Sequence, residues 1–139
     1  EGFRYDSSIF PVHHDRYGIP DFSRFPERIE RKGGVIVEFP PSTVRLFGTN
    51  VPVAGGGYLR LLPFPLIRWG LHTISEREGK PVMFYLHPWE IDPEQPRIEG
   101  ISWKTRFRHY HGLSGTLAKL DFLLSRYRFG RVIDVLEIE

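Results

Sequence analysis

The residues best placed to do chemistry sit in one short run, Leu86-His87-Pro88-Trp89-Glu90, with Asp92 just beyond it. An imidazole titrates near neutral pH, so His87 can give or take a proton at ordinary working pH. It follows a continuous apolar run, Pro81-Val82-Met83-Phe84-Tyr85-Leu86, that reads as a central strand buried on both faces and stopped by Pro88. In parallel α/β folds the working groups lie just past the C-terminal ends of such strands, where loops vary while the strands hold them. The bland alternative is a structural histidine bonded to a neighbouring loop. Trp89 offers a flat apolar face that matches the C–H face of a pyranose, against the commoner outcome of a buried indole. Glu90 and Asp92 are candidates to orient His87 or to bind sugar hydroxyls, against the usual fate of loop carboxylates, which face solvent.

A second cluster is Gly55-Gly56-Gly57-Tyr58-Leu59-Arg60. No Lys-Ser/Thr pair follows the glycines and Gly-x-Gly-x-x-Gly is not satisfied, so a nucleotide cradle is disfavoured. Three glycines followed by Tyr58 and Arg60 fit a groove floor where a ligand approaches the backbone, or else a surface loop. The six histidines are His13, His14, His72, His87, His109 and His111, and none forms His-x-x-x-His. His109-x-His111 and His13-His14-Asp15 are the only spacings with any claim to metal ligation, and both fit ordinary surface residues as well. Arg4, Arg16, Arg106 and Arg108 lie among aromatic residues, a mixture suited to an anionic sugar polymer or a single strand of nucleic acid, and equally to a solvated surface.

These residues need a frame. Gly33 to Phe39 reads as a buried strand ended by Pro40-Pro41, and Val44 to Tyr58 as a Gly- and Pro-rich loop. Pro63 and Pro65 open a helix whose Leu66, Ile67, Gly70, Leu71 and Ile74 share a face until Gly79. Leu113, Leu117, Leu120, Leu124 and Tyr127 mark an amphipathic helix ended by Gly130, and Arg131 to Leu136 reads as a final strand. Strand, helix, strand, helix, strand implies an α/β domain with parallel pairing. At 139 residues, 40% hydrophobic and 26% charged, the chain suits one globular domain spanning 1–139. A net charge of +2 without a basic block argues against nucleic acid as a partner. The absence of cysteine excludes disulfides and thiolate metal sites and leaves the compartment open. No apolar run reaches the ~18 residues of a membrane span. Glu1-Gly2-Phe3-Arg4-Tyr5-Asp6 reads like a helix end leading into a strand, the interior of a domain, which suggests a fragment or a processed chain.

Taken in order, Tyr5-Asp6-Ser7-Ser8-Ile9-Phe10-Pro11, Val37-Glu38-Phe39-Pro40, Gly55-Gly56-Gly57-Tyr58-Leu59-Arg60-Leu61-Leu62-Pro63 and Tyr85-Leu86-His87-Pro88-Trp89-Glu90 resemble the C-terminal half of polysaccharide deacetylases of the NodB-like fold. The resembled subgroup is associated with exopolysaccharide and exosortase gene clusters in bacteria, and the likeness covers essentially the whole chain. It implies the C-terminal part of a distorted (β/α) barrel that removes N-acetyl groups from a polysaccharide. The family uses a divalent metal, commonly zinc, held by one Asp and a His-x-x-x-His pair, with a neighbouring Asp as base. Those motifs belong to the N-terminal half and are absent here, as is the family's Arg motif, so no metal ligand is carried onto this chain. The family's leucine-histidine motif falls on Leu86 and His87, making His87 the implied general acid; Asp6 aligns loosely with a fourth motif. With Trp89, Tyr58, Arg60 and Asp6 as substrate contacts, the expectation is one half of a hydrolase, inactive alone, whose partners are an N-acetylated polysaccharide and the other half or a second copy. The competing readings are a non-catalytic sugar-binding module and a self-associating module, since half a barrel exposes sheet edges.

Overall fold

The computed structural model describes residues 2–14 and 18–138. Its first layer is a three-stranded sheet of order β1-β3-β2, formed by β1 (Tyr5–Asp6), β2 (Glu27–Arg31) and β3 (Gly34–Glu38). β1 runs parallel to β3, with Tyr5 opposite Val37 and Asp6 opposite Glu38. β2 pairs antiparallel through a two-residue Lys32-Gly33 turn. The strand expected from Gly33 to Phe39 is β3, but it is not the buried strand expected: Gly34 and Val35 are exposed, Ile36 and Val37 half-buried, and only Glu38 is buried. β2 was not legible because its sequence, Glu-Arg-Ile-Glu-Arg, is exposed but for a half-buried Ile29.

Residues 44–58, expected to be loop, contain a second sheet. β4 (Thr43–Leu46) and β5 (Thr49–Pro52) form a hairpin whose two central residues, Phe47 and Gly48, both have positive φ (46° and 77°). That backbone matches strand twist but is rare for phenylalanine, so the usual Asn-Gly signature is missing. Helices follow: α1 (Gly56–Leu61) and α2 (Phe64–His72), the latter with Pro63 at its N-cap and Pro65 in its first turn. α2 runs on into a wider turn over Thr73–Arg77, and Gly79, at φ 61°, ends it. Its expected apolar face is real: Ile67, Gly70, Leu71 and Ile74 are buried. A Cβ on Gly70 would stand 2.6 Å from the Val53 side chain, so the missing side chain lets α2 lie against β5's exit.

The chain continues through α3 (Trp103–Tyr110), α4 (Leu113–Arg126) and a one-turn α5 (Val132–Val135). Ala54, Leu59, Ile67, Leu71 and Leu123 make the main core cluster, with Val44, Val53 and Ile74 beside it. Burying each such aliphatic side chain contributes about 1.5–3 kcal/mol. α4 is the expected helix, but it buries Leu113, Thr116 and Leu123, while Leu117 and Leu124 are half exposed. The apolar stripe is wider than the contact, and Thr116 enters the core because its hydroxyl donates to the Gly112 carbonyl at 2.9 Å.

Two strand expectations fail. Residues 81–87 are extended but join no ladder, and Tyr85 and His87 are exposed rather than buried. Their backbone is held at isolated points: Ser42 N–H donates to Met83 O, and Gly56 N–H to Tyr85 O. Val132–Val135 is helical where a strand was expected over Arg131 to Leu136, and Arg131, extended at its N-cap, reaches Asp134 with two bonds of 2.8 and 2.7 Å. Among the described residues the architecture is therefore mixed helices and two small sheets, with β1·β3 the parallel pair.

Candidate functional site

Pro88 turns the extended segment into a short 3₁₀ turn, Pro88–Ile91, and that turn carries Glu90 back beneath His87. Glu90 N–H donates to His87 O at 2.9 Å, and His87 N–H donates to Glu90 Oε2 at 3.0 Å. The same Oε2 lies 3.2 Å from His87 Nδ1. A carboxylate accepts there, so Nδ1 carries the proton and Nε2 is left as the working nitrogen. His87 is 58% exposed and Glu90 only 3% in their side chains, so the imidazole reaches solvent from a buried anchor.

Arg60 anchors the anchor. Its Nε and Nη2 meet Glu90 Oε1 at 3.4 and 3.3 Å, and Nη1 donates to the carbonyls of Arg108, His109 and His111 at 3.0, 3.0 and 3.1 Å. One buried guanidinium thus neutralises Glu90 and satisfies carbonyls at the C-terminal end of α3, where a positive charge is favoured. In place of the groove-facing role expected for Arg60, the side chain is an internal brace joining α1, the 3₁₀ turn and α3.

An aromatic column stands over this brace. His87 and Trp89 are stacked at 5.9 Å between centroids, and Trp89 and His109 at 4.4 Å. Tyr85 meets His87 edge-on at 5.9 Å, and the Arg60 guanidinium sits 5.0 Å from the centre of the Trp89 ring. His109 covers one face of the indole, so a pyranose cannot use that face. Gln95, buried, fixes His109: its amide NH2 donates to Trp89 O and Asp92 O at 2.7 and 3.1 Å, which leaves its Oε1 to accept from His109 Nε2–H at 3.0 Å. Gln95 was missed as a site residue, and His109 was weighed only as a metal ligand beside His111, because nothing local marks a loop glutamine or a helical histidine as belonging to His87. The i, i+3 relation of His87 and Glu90 across a proline was the available signal.

The glycine run is a floor, but for this chain's own side chains. A Cβ on Gly56 would land on the Glu90 carboxylate, and one on Gly55, whose φ is 135°, would stand 2.8 Å from the Tyr85 ring. Alanine at Gly56 meets no backbone restriction, so space alone decides. Gly56→Ala is expected to displace Glu90 and cost about 1–3 kcal/mol, read by urea unfolding. An unchanged midpoint would mean that the buried carboxylate has room to move.

The remaining candidates go elsewhere. Tyr58 packs edge-on against Phe10 at 6.1 Å and borders the core. Asp6 holds its own turn, accepting from Ser7 N–H at 2.8 Å and Ser8 Oγ at 2.6 Å. Asp92 accepts from Glu94 N–H at 3.0 Å and does not serve His87. His109 and His111 lie on and just after α3, with His111 stacked on Phe107 at 4.5 Å, so the two rings have separate partners. His13 and His14 are exposed, and Asp15 and Arg16 lie outside the described residues. Among the described residues no group of three His, Asp or Glu side chains is arranged to hold a metal ion, so the donor set does not fit the metal that the resemblance implies.

One buried acid was not foreseen as a site residue. Glu38, at the end of β3, is 2% exposed and accepts Ile9 N–H at 2.8 Å. Burial pushes its carboxyl above the ordinary 4.5; the Ile9 amide pulls it back, Asp6 raises it further and the Ser8 amide opposes. The folded state therefore holds this proton more tightly than the unfolded chain does. Its stabilising contribution is fully present below the unfolded value and is lost as pH rises through the folded one. Glu38→Gln keeps an acceptor for Ile9 and removes the charge, so its stability relative to the parent should rise with pH across that window. Urea unfolding on both sides of the window checks this, and a pH-independent difference would contradict it.

The model of a family described as a domain of unknown function, DUF3473, matches residues 7–137. No curated protein and no solved structure matches the chain. Among the described residues no helix is long and apolar enough to cross a membrane.

Proposed function

The chain belongs to the DUF3473 family, and from that premise we propose that it is the C-terminal part of a polysaccharide deacetylase in which His87 is the general acid. The observation that carries the reading is the exposed His87 imidazole held through Nδ1 by a buried, arginine-paired Glu90. Amide hydrolysis at an N-acetyl group needs an activated water and, separately, a proton for the departing nitrogen. A side chain with one nitrogen fixed and the other presented outward suits the second task. The motif resemblance of Leu86-His87 supplies the substrate class, an N-acetylated polysaccharide.

The first task is not assigned to this chain. The motifs that hold the divalent ion and the base in the resembled family are absent from this sequence, so in this reading both would be held by residues outside these 139, as would the rest of a (β/α) barrel. The test is acetate release from a partly N-acetylated glucosamine polymer by a longer protein containing this domain, beside the folded 139-residue chain. Release that requires the longer protein supports the reading. Release by the 139 residues alone overturns the division of labour, and none from either, with the polymer still bound, favours the sugar-binding module.

A further inference from the structure

α3 is unlike the other long helices because none of its residues is buried. Trp103 is 72% exposed and Phe107 50%. At 100° per residue Trp103 and Phe107 lie within one turn on the same face, with Lys104 and Arg108 along one flank and Arg106 along the other. All three cations are exposed, and none forms an ion pair among the described residues. The helix has no acidic residue; the nearest before it is Glu99. Lys104 Nζ sits 6.0 Å from the centre of the Trp103 ring, so ammonium and ring present one surface.

We propose that this face of α3 binds an acidic polysaccharide, with Trp103 and the face of Phe107 not stacked on His111 taking the C–H faces of sugar rings and Lys104, Arg106 and Arg108 pairing with carboxylates on the polymer. Flat rings flanked by separated cations match a chain that repeats an apolar face and an anionic edge. The aromatic surface is two side chains on an eight-residue helix, too small to anchor a bilayer on burial alone. His109, in the last turn of α3 and stacked on Trp89, lies roughly 120–160° around the helix from Trp103 and Phe107, so this face is separate from the His87 site and the inference does not rest on the deacetylase reading.

The test is native electrophoresis of the intact protein through gels containing alginate, a polyuronate, or dextran, which is neutral, with sedimentation against phosphatidylglycerol vesicles in parallel. Retardation by alginate alone is expected, weakened by salt. Trp103→Ala should weaken it about ten-fold, the loss of one stacking ring, and Trp103→Phe should largely restore it. The pair Lys104→Glu and Arg108→Glu should abolish it, while Lys32→Glu, a charge reversal in the exposed β2–β3 turn, should leave it unchanged. No retardation, equal retardation in dextran, vesicle binding in place of glycan binding, or indifference to Trp103→Ala would each overturn the proposal. Loss of acetate release in His87→Ala with alginate binding absent throughout would sink this surface and leave the deacetylase reading standing.

Discussion

Replacing His87 with alanine in a longer, active protein should lower acetate release by about 10²–10⁴-fold, the usual worth of a positioned general acid, and leave unfolding nearly unchanged. The stability half follows from exposure, since the side chain is 58% accessible and its one polar tie is to Glu90. The activity half follows from Nε2 being the nitrogen free to face a departing amine. A leaving nitrogen that is already a good leaving group needs no acid, so an activated N-acyl substrate should be far less sensitive to the substitution. A structural histidine would affect both substrates alike. Glu90→Gln is the companion test: Glu90 acts through His87 as a positioning residue, so the change should shift the pH profile of kcat more than it alters KM. If His87→Ala retained most of the activity on the unactivated substrate, the general-acid assignment would be lost.

The sequence carried the site's centre and misplaced its surroundings for identifiable reasons. His87, Trp89 and Glu90 stand together because three of them fall within one turn, and short-range geometry is written in adjacent residues. Arg60 could be picked out from the glycine run but not given its role, since its partners are Glu90, 30 residues away, and carbonyls 48 to 51 residues away. α2 and α4 were legible from period alone. The apolar run at 81–87 was read as a buried strand because its composition is that of one; a ladder also needs a neighbour along its length, and Ser42 and Gly56 tie the run only at isolated points. At Arg131 to Leu136 the β-branched content suggested a strand, whereas Val132–Val135 forms one helical turn bridged by Arg131 and Asp134. Charged β2 and the Phe-Gly hairpin turn lacked the patterns by which strands and turns are recognised.

Arg60→Ala should be among the most destabilising single changes in the domain, costing about 3–5 kcal/mol. The deletion leaves the Glu90 carboxylate at 2% exposure with no countercharge and strips the donor from three carbonyls at the end of α3. A domain of this size has about 5–15 kcal/mol in all, so the variant should be partly unfolded at modest urea. Arg60→Lys will not rescue it, because a single ammonium cannot span Glu90 and carbonyls on the far side as a planar guanidinium does. Removing both charges with Arg60→Met and Glu90→Leu should cost less than Arg60→Ala alone, since no ion is then stranded. The double-mutant cycle separates two roles that the geometry joins. If the double variant folds stably yet gives no acetate release in the longer protein, the buried pair exists to aim His87. If Arg60→Ala costs under about 1 kcal/mol, on the scale of an exposed pair, water must reach Glu90, and the fixed Nδ1 on which the general-acid role depends would no longer be secured.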